Sequence, residues 1–93
     1  MPSSIKDISY SVKDFSKIRE LTDLLLNYQS EIVKNVFIFD YFKNEKKQEI
    51  KIGFRFIFQS QEATITDKEV DHVMNLIINS ALEFKSISIP GLS

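Results

Sequence analysis

Ile8, Tyr10 and Val12 alternate with Asp7, Ser9 and Ser11, the period-two pattern of a half-buried strand, which predicts a first strand over residues 5–13. From Ser16 to Tyr28 the period changes. Ile18, Leu21, Leu25 and Tyr28 recur at three and four, with Leu24 widening the stripe, so an amphipathic helix follows, capped by Asp14 or Ser16. A second strand over 31–43, rich in aromatic and β-branched residues, and a third over 49–59 flank the polar stretch Asn44-Glu45-Lys46-Lys47-Gln48 and make a hairpin. Along a second helix, from Asp67 to Phe84, the residues Val70, Val73, Met74, Ile77, Ile78, Ala81 and Leu82 keep the helical series. Ser86 to Ile89 is a short last strand.

The start of the second helix is unusually complete. Thr66 and Glu69 have the spacing of a capping box, in which each side chain accepts from the other residue's backbone N–H, and Ile65 and Val70 are spaced as a hydrophobic staple. The element order βαββαβ predicts an α+β, ferredoxin-like sandwich: a four-stranded antiparallel sheet with two helices on one face and the other face open.

Strand parity then assigns faces. In the third strand Ile52, Phe54, Phe56 and Phe58 form an apolar row that must face the helices, leaving Lys51, Gly53, Arg55 and Ile57 outward. In the second strand both rows are apolar. Phe37, Phe39 and Tyr41 are the bulkier set and are expected inward, with Val36, Ile38, Asp40 and Phe42 outward, because an unpaired carboxylate at Asp40 would be costly in the core. The open face is then expected to carry Ser9, Asp40, Phe42, Lys51 and Arg55.

Ninety-three residues with 43% hydrophobic content make one domain, and the two prolines sit at the ends, so no interior linker divides it. There is no cysteine, hence no disulfide or thiolate metal site, and the single histidine, His72, has no second ligand at helical spacing. No apolar run is long enough to span a bilayer and no secretory segment opens the chain, so a soluble protein without membrane partners is expected. A net charge of −1 excludes a broadly basic nucleic-acid binder, so any RNA contact must be local. No paired carboxylates, Ser-His-Asp set, phosphate-cradling glycine loop or metal cluster is present, and no catalytic step is expected of this domain.

A ring offers stacking area to an unpaired base, a carboxylate accepts from the donors on a guanine edge, and nearby lysines take phosphates; single-stranded RNA loops are read with such parts. Each residue also has a plainer reading. Phe42 could pack on its sheet neighbours, Asp40 could be a solvated acid beside Lys43, and Lys43, Lys46, Lys47 and Lys51, interspersed with Glu45 and Glu49, could be a solvated hairpin.

Three blocks carry a family resemblance: Pro2-Ser3-Ser4-Ile5-Lys6-Asp7-Ile8-Ser9, then Phe39-Asp40-Tyr41-Phe42, then Phe58-Gln59-Ser60 through Thr64-Ile65-Thr66-Asp67-x-Glu69-Val70. Together they resemble the ferredoxin-fold anticodon-binding domain that ends the bacterial phenylalanyl-tRNA synthetase β subunit, and that also closes the single-chain organellar enzyme. The resemblance implies that residues 1–93 are the C-terminal anticodon-binding piece of a larger, cytoplasmic or organellar, phenylalanine–tRNA ligase. Its partners would be the anticodon of phenylalanine tRNA, the rest of the β subunit and the α subunit. Aminoacylation, with ATP and Mg2+, would belong to other domains, leaving this one without a cofactor. The resemblance also implies roles: Phe42 stacks on the first anticodon base, Asp40 bonds to it, and Ser9 adds a contact. Strand parity adds Lys51 and Arg55 to the expected tRNA-binding set on the same face, and Lys6, Lys43, Lys46 and Lys47 are candidates for phosphate contacts.

There are departures from the family pattern. Lys6 stands for the usual arginine, keeping charge but losing the bidentate fork, and Phe42 for the usual tyrosine. Ile50 and Lys51 align with a common Lys-Ser pair, Ala63 with a common arginine, and Ser88 to Ser93 replace a frequent terminal arginine, so weak binding by the isolated domain is expected. Two other readings stay open on sequence. Gly53 to Phe58 resembles the third-strand aromatic signature of the RNA-recognition motif, one residue short and with its rings needed on the open face. A ferredoxin-like regulatory or protein-interaction module using an exposed edge strand would make no RNA contact.

Overall fold

A buried row at Ile52, Phe54, Phe56 and Phe58 organises the molecule. A computed structural model describes residues 3–60 and 64–91, so Pro2, Ala63, Leu92 and Ser93 lie outside the described residues. Strand β1 (Ser4–Val12) leads through a 3-10 turn (Phe15–Lys17) into helix α1 (Ile18–Leu26). Strands β2 (Val33–Asn44) and β3 (Glu49–Phe58) form the hairpin, followed by helix α2 (Asp67–Leu82) and strand β4 (Ile87–Ser88). The sheet order is β2-β3-β1-β4 with every neighbouring pair antiparallel, which is the predicted ferredoxin-like arrangement. Each element begins or ends within a few residues of its predicted bounds.

Phe54, Phe56 and Phe58 are fully buried, as their parity requires, together with Tyr10, Val12 and Ile52 from the sheet. Leu21 and Leu25 of α1, and Val70, Met74, Ile77 and Ala81 of α2, close over them. Burying a phenylalanine side chain is worth about 1.5–3 kcal/mol, so the β3 row is a main source of the fold's stability. The Tyr10 and Phe54 rings meet edge to face, 5.9 Å between centroids.

Local signals set the helix ends. Asp14 accepts from the Ser16 N–H at 3.0 Å and starts the 3-10 turn. Thr66 Oγ1 accepts from the Glu69 N–H at 3.1 Å and starts α2. Only the threonine half of the expected capping box forms: no bond from the Thr66 N–H to the Glu69 carboxylate is present among the described residues. Val70 is buried and Ile65 packs against the same core, as a staple requires. In the hairpin turn Gln48 adopts the left-handed conformation, φ 50°, and Asn44 Oδ1 accepts from the Lys47 N–H at 3.2 Å.

Strand β2 departs from the expectation. Directly opposed residues of an antiparallel pair point to the same face. Val36 opposes Phe56 and Ile38 opposes Phe54, so both belong to the helix side, whereas Phe37 opposes Arg55 on the open side. The register then slips by one between Ile38 and Asp40, and beyond it Asp40 opposes Gly53 and Phe42 opposes Lys51. The prediction for Asp40 and Phe42 therefore holds while that for Val36, Phe37, Ile38 and Phe39 is reversed. The cause is a β-bulge at Phe39, which places two residues opposite one and breaks strict alternation. Tyr41 opposes Ile52 on the helix side as expected, yet is 54% exposed, so it is not part of the core.

Candidate nucleic-acid interface

Three successive rows cross the open face, each built from β1, β3 and β2 in turn: Asp7, Arg55 and Phe37; then Ser9, Gly53 and Asp40; then Ser11, Lys51 and Phe42. All five residues expected on this face, Ser9, Asp40, Phe42, Lys51 and Arg55, fall within these rows. Neighbouring strands lie about 4.8 Å apart, so Ser9 and Asp40 are separated by roughly two strand spacings, with Gly53 between them and the Phe39 ring packed over that glycine.

The groups differ in how they are engaged. Phe42 is 58% exposed, and the Asp40 carboxylate makes no hydrogen bond or ion pair among the described residues. Ser9 and Lys51 are exposed. Arg55 is committed elsewhere: Nε donates to Asp7 Oδ1 at 2.8 Å and Nη2 to Oδ2 at 2.9 Å, and its guanidinium lies 4.9 Å from the centre of the Phe39 ring. The Arg55 guanidinium holds the Asp7 carboxyl below the usual carboxylate range, and Asp7 in turn raises the arginine. At the hairpin end of the face Glu49 Oε2 accepts from Ser11 Oγ and, at 3.1 Å, from Lys13 Nζ; these bonds hold its carboxyl down as well. The two residues sequence reasoning missed here are Phe37 and Phe39, exposed at 37% and 41%.

The lysines expected near phosphates are scattered. Lys6 opposes Phe56 and so stands in the helix-side row at the end of β1. Lys43 opposes Ile50 on that side too, its Nζ 5.0 Å from the Phe15 ring centre and 3.9 Å from Glu45 Oε1. Lys46 and Lys47 are exposed in the hairpin turn. Of the cations considered, Lys51 is the one that stands within the three rows without an ion-pair partner among the described residues.

The face thus offers a free carboxylate, an exposed ring and a lone lysine over a sheet whose other side carries the two helices. Burial of Phe54, Phe56 and Phe58 also removes the RNA-recognition-motif reading, whose third-strand rings must face outward. Comparison with known families decides between the remaining readings: the model of the ferredoxin-fold anticodon binding domain matches residues 1–87. The chain belongs to this family.

Relatives of this anticodon-binding domain point the same way. It is 30% identical over 84 residues to the phenylalanine–tRNA ligase beta subunit of Syntrophus aciditrophicus, covering 88% of this chain and 10% of the relative. The corresponding figures are 32% over 79 residues, 83% and 10% for the beta subunit of Dehalococcoides mccartyi. For the chloroplastic/mitochondrial phenylalanine–tRNA ligase of Arabidopsis thaliana they are 28% over 76 residues, 82% and 18%. The chain therefore spans between a tenth and a fifth of these curated relatives. No helix among the described residues is long and apolar enough to cross a membrane.

Proposed function

We propose that the open face of this domain binds the anticodon of phenylalanine tRNA, serving as a non-catalytic part of a phenylalanine–tRNA ligase beta subunit. The tRNA, the remainder of that subunit and the alpha subunit would be its partners, and ATP-dependent aminoacylation would belong to other domains. One observation carries the reading: Asp40 and Phe42 stand in adjacent rows of one face, the carboxylate unpartnered and the ring more than half exposed. A surface acid without a cation, beside a bare ring, suits a base better than it suits the protein itself.

The division of labour follows from the chemistry. The Phe42 ring stacks on the first anticodon base. The Asp40 carboxylate accepts from the two adjacent donors on a guanine's Watson–Crick edge, which adenine lacks in that arrangement. Ser9, across Gly53 from Asp40, donates or accepts on the far side of the same row, and Lys51, opposite Phe42, takes a phosphate. With Arg55 engaged by Asp7, electrostatic attraction is modest, and isolated affinity should be weak and salt-sensitive.

The test is a titration of the 93-residue chain with an anticodon stem-loop bearing guanine or adenine at the first position. Stacking is worth about 1–3 kcal/mol per base and tolerates sequence, so Phe42→Ala should weaken both RNAs together. Asp40→Ala should instead lose mainly guanine affinity and narrow the preference. Equal losses for both bases in the Asp40 variant, or no loss in either variant, remove this face from recognition.

A further inference from the structure

Gly53 sits in the middle of β3, where a glycine weakens a strand unless another backbone or a ligand must come close. Its surroundings show what comes close. A Cβ built on Gly53 would lie 2.9 Å from both Cε1 and Cζ of Phe39 and 3.3 Å from Cβ of Asp40. The Phe39 ring therefore lies down on the bare Cα of Gly53, with the Arg55 guanidinium 4.9 Å from its centre and Asp7 gripping that guanidinium from behind. Phe39 is also the extra residue of the bulge, sharing Gly53 with Asp40.

We propose that Gly53 is a specificity-determining position of this face, because its missing side chain lets the Phe39 ring seat the bulge that brings Asp40, and Phe42 with it, to the open face. The inference deepens the anticodon-binding reading and rests on it. Without the bulge, residues 36, 38, 40 and 42 would share one face, and a strand that turns Val36 and Ile38 to the helix side would turn Asp40 and Phe42 there with them. The bulge lets β2 feed the core with its first half and present a base-reading pair with its second. Gly53 acts through Phe39 and is a positioning residue.

An aromatic ring covering a cross-strand glycine also stabilises a sheet, and that role alone would lower affinity for every RNA alike. The two roles separate experimentally. In Gly53→Ala the new methyl meets the far end of an exposed ring, which can swing away, so the fold survives and the disturbance stays at Phe39 and Asp40. In the double variant Gly53→Ala with Phe39→Leu, the Cε1 and Cζ atoms that oppose the methyl are gone.

The experiment titrates wild type, Gly53→Ala, Phe39→Leu and the double variant with stem-loops carrying guanine or adenine at the first anticodon position, alongside amide NMR spectra and thermal unfolding. Two good hydrogen bonds to a base edge discriminate on the order of tenfold or more. Wild type should show that preference, Gly53→Ala should lose most of it with amide shifts centred on 39 and 40, and the double variant should recover it beyond the sum of the single changes. A Gly53→Ala chain that keeps its guanine preference, or loses affinity for both RNAs in the same ratio, overturns the proposal. A wild type that binds both RNAs equally overturns the reading of the face itself, and the NMR shifts then report whether Gly53 positions Asp40 independently of RNA.

Discussion

Asp7 holds Arg55 with both carboxylate oxygens, at 2.8 and 2.9 Å, across the β1–β3 pair. This planar, two-bond geometry is the strongest form of a surface ion pair. It also withdraws from solvent-borne ligands the one arginine of the open face. Because Arg55 depresses the Asp7 carboxyl, the folded state binds that proton less readily than the unfolded chain. The stabilisation is therefore complete above the unfolded value, near pH 4, and is lost as pH falls through the lower folded value. Thermal unfolding of wild type and Asp7→Asn should differ at pH 7 and converge as pH falls below about 4. A difference that stays constant across that range would mean the charge of Asp7 contributes nothing.

Lys51 and Arg55, two cations on the outer two of the three rows, should respond differently in RNA titrations over a range of salt. Each phosphate neutralised on single-stranded nucleic acid contributes about 0.7 to the slope of log K against log salt. Lys51→Ala should lower the slope by about that amount. Arg55→Lys should leave it unchanged, since the Arg55 charge is already answered by Asp7. Equal slopes for wild type and Lys51→Ala would take Lys51 off the phosphate path.

The half-formed capping box separates two residues that sequence treats as a pair. Thr66→Ala removes the acceptor for the Glu69 N–H and should cost about 1 kcal/mol. Glu69→Gln removes no bond that exists and should cost only a few tenths of a kcal/mol, through the field of the helix N-terminus. Thermal unfolding ranks them; similar midpoint shifts for both variants would show that the reciprocal bond forms in solution.

How far the fold was legible depends on how many constraints each strand carries. Four apolar residues in phase at Ile52, Phe54, Phe56 and Phe58 admit one orientation, and Asp7, Ser9 and Ser11 opposite Ile8, Tyr10 and Val12 admit one for β1. Strand β2 offers apolar residues on both rows, so only Asp40 constrained it, and one carboxylate orients only the residues on its own side of the bulge. Nothing within β2 marks that bulge, which contains neither glycine nor proline. The signal lay on the partner strand, in Gly53, whose empty side makes sense only once an aromatic residue is allowed to lie across it. The open-face positions of Asp40 and Phe42 were legible for this reason, while those of Phe37 and Phe39 were not. Arg55 was placed on the right face, but its capture by Asp7 depends on a cross-strand register that no local pattern shows.

Strand β2 also forms one border of the sheet, with twelve residues and the exposed side chains of Ile38, Tyr41 and Phe42 along it. A long, flat, apolar border is a template on which further copies could add strand by strand and build fibrils. Two register slips, one between Val33 and Asn35 and one between Ile38 and Asp40, interrupt its row of outward peptide groups within eight residues. Each adds twist and leaves a peptide out of step with any incoming chain. The irregularity that turns Asp40 and Phe42 to the open face therefore also protects a sticky strand from self-association, so a variant that straightened β2 would be expected to lose solubility.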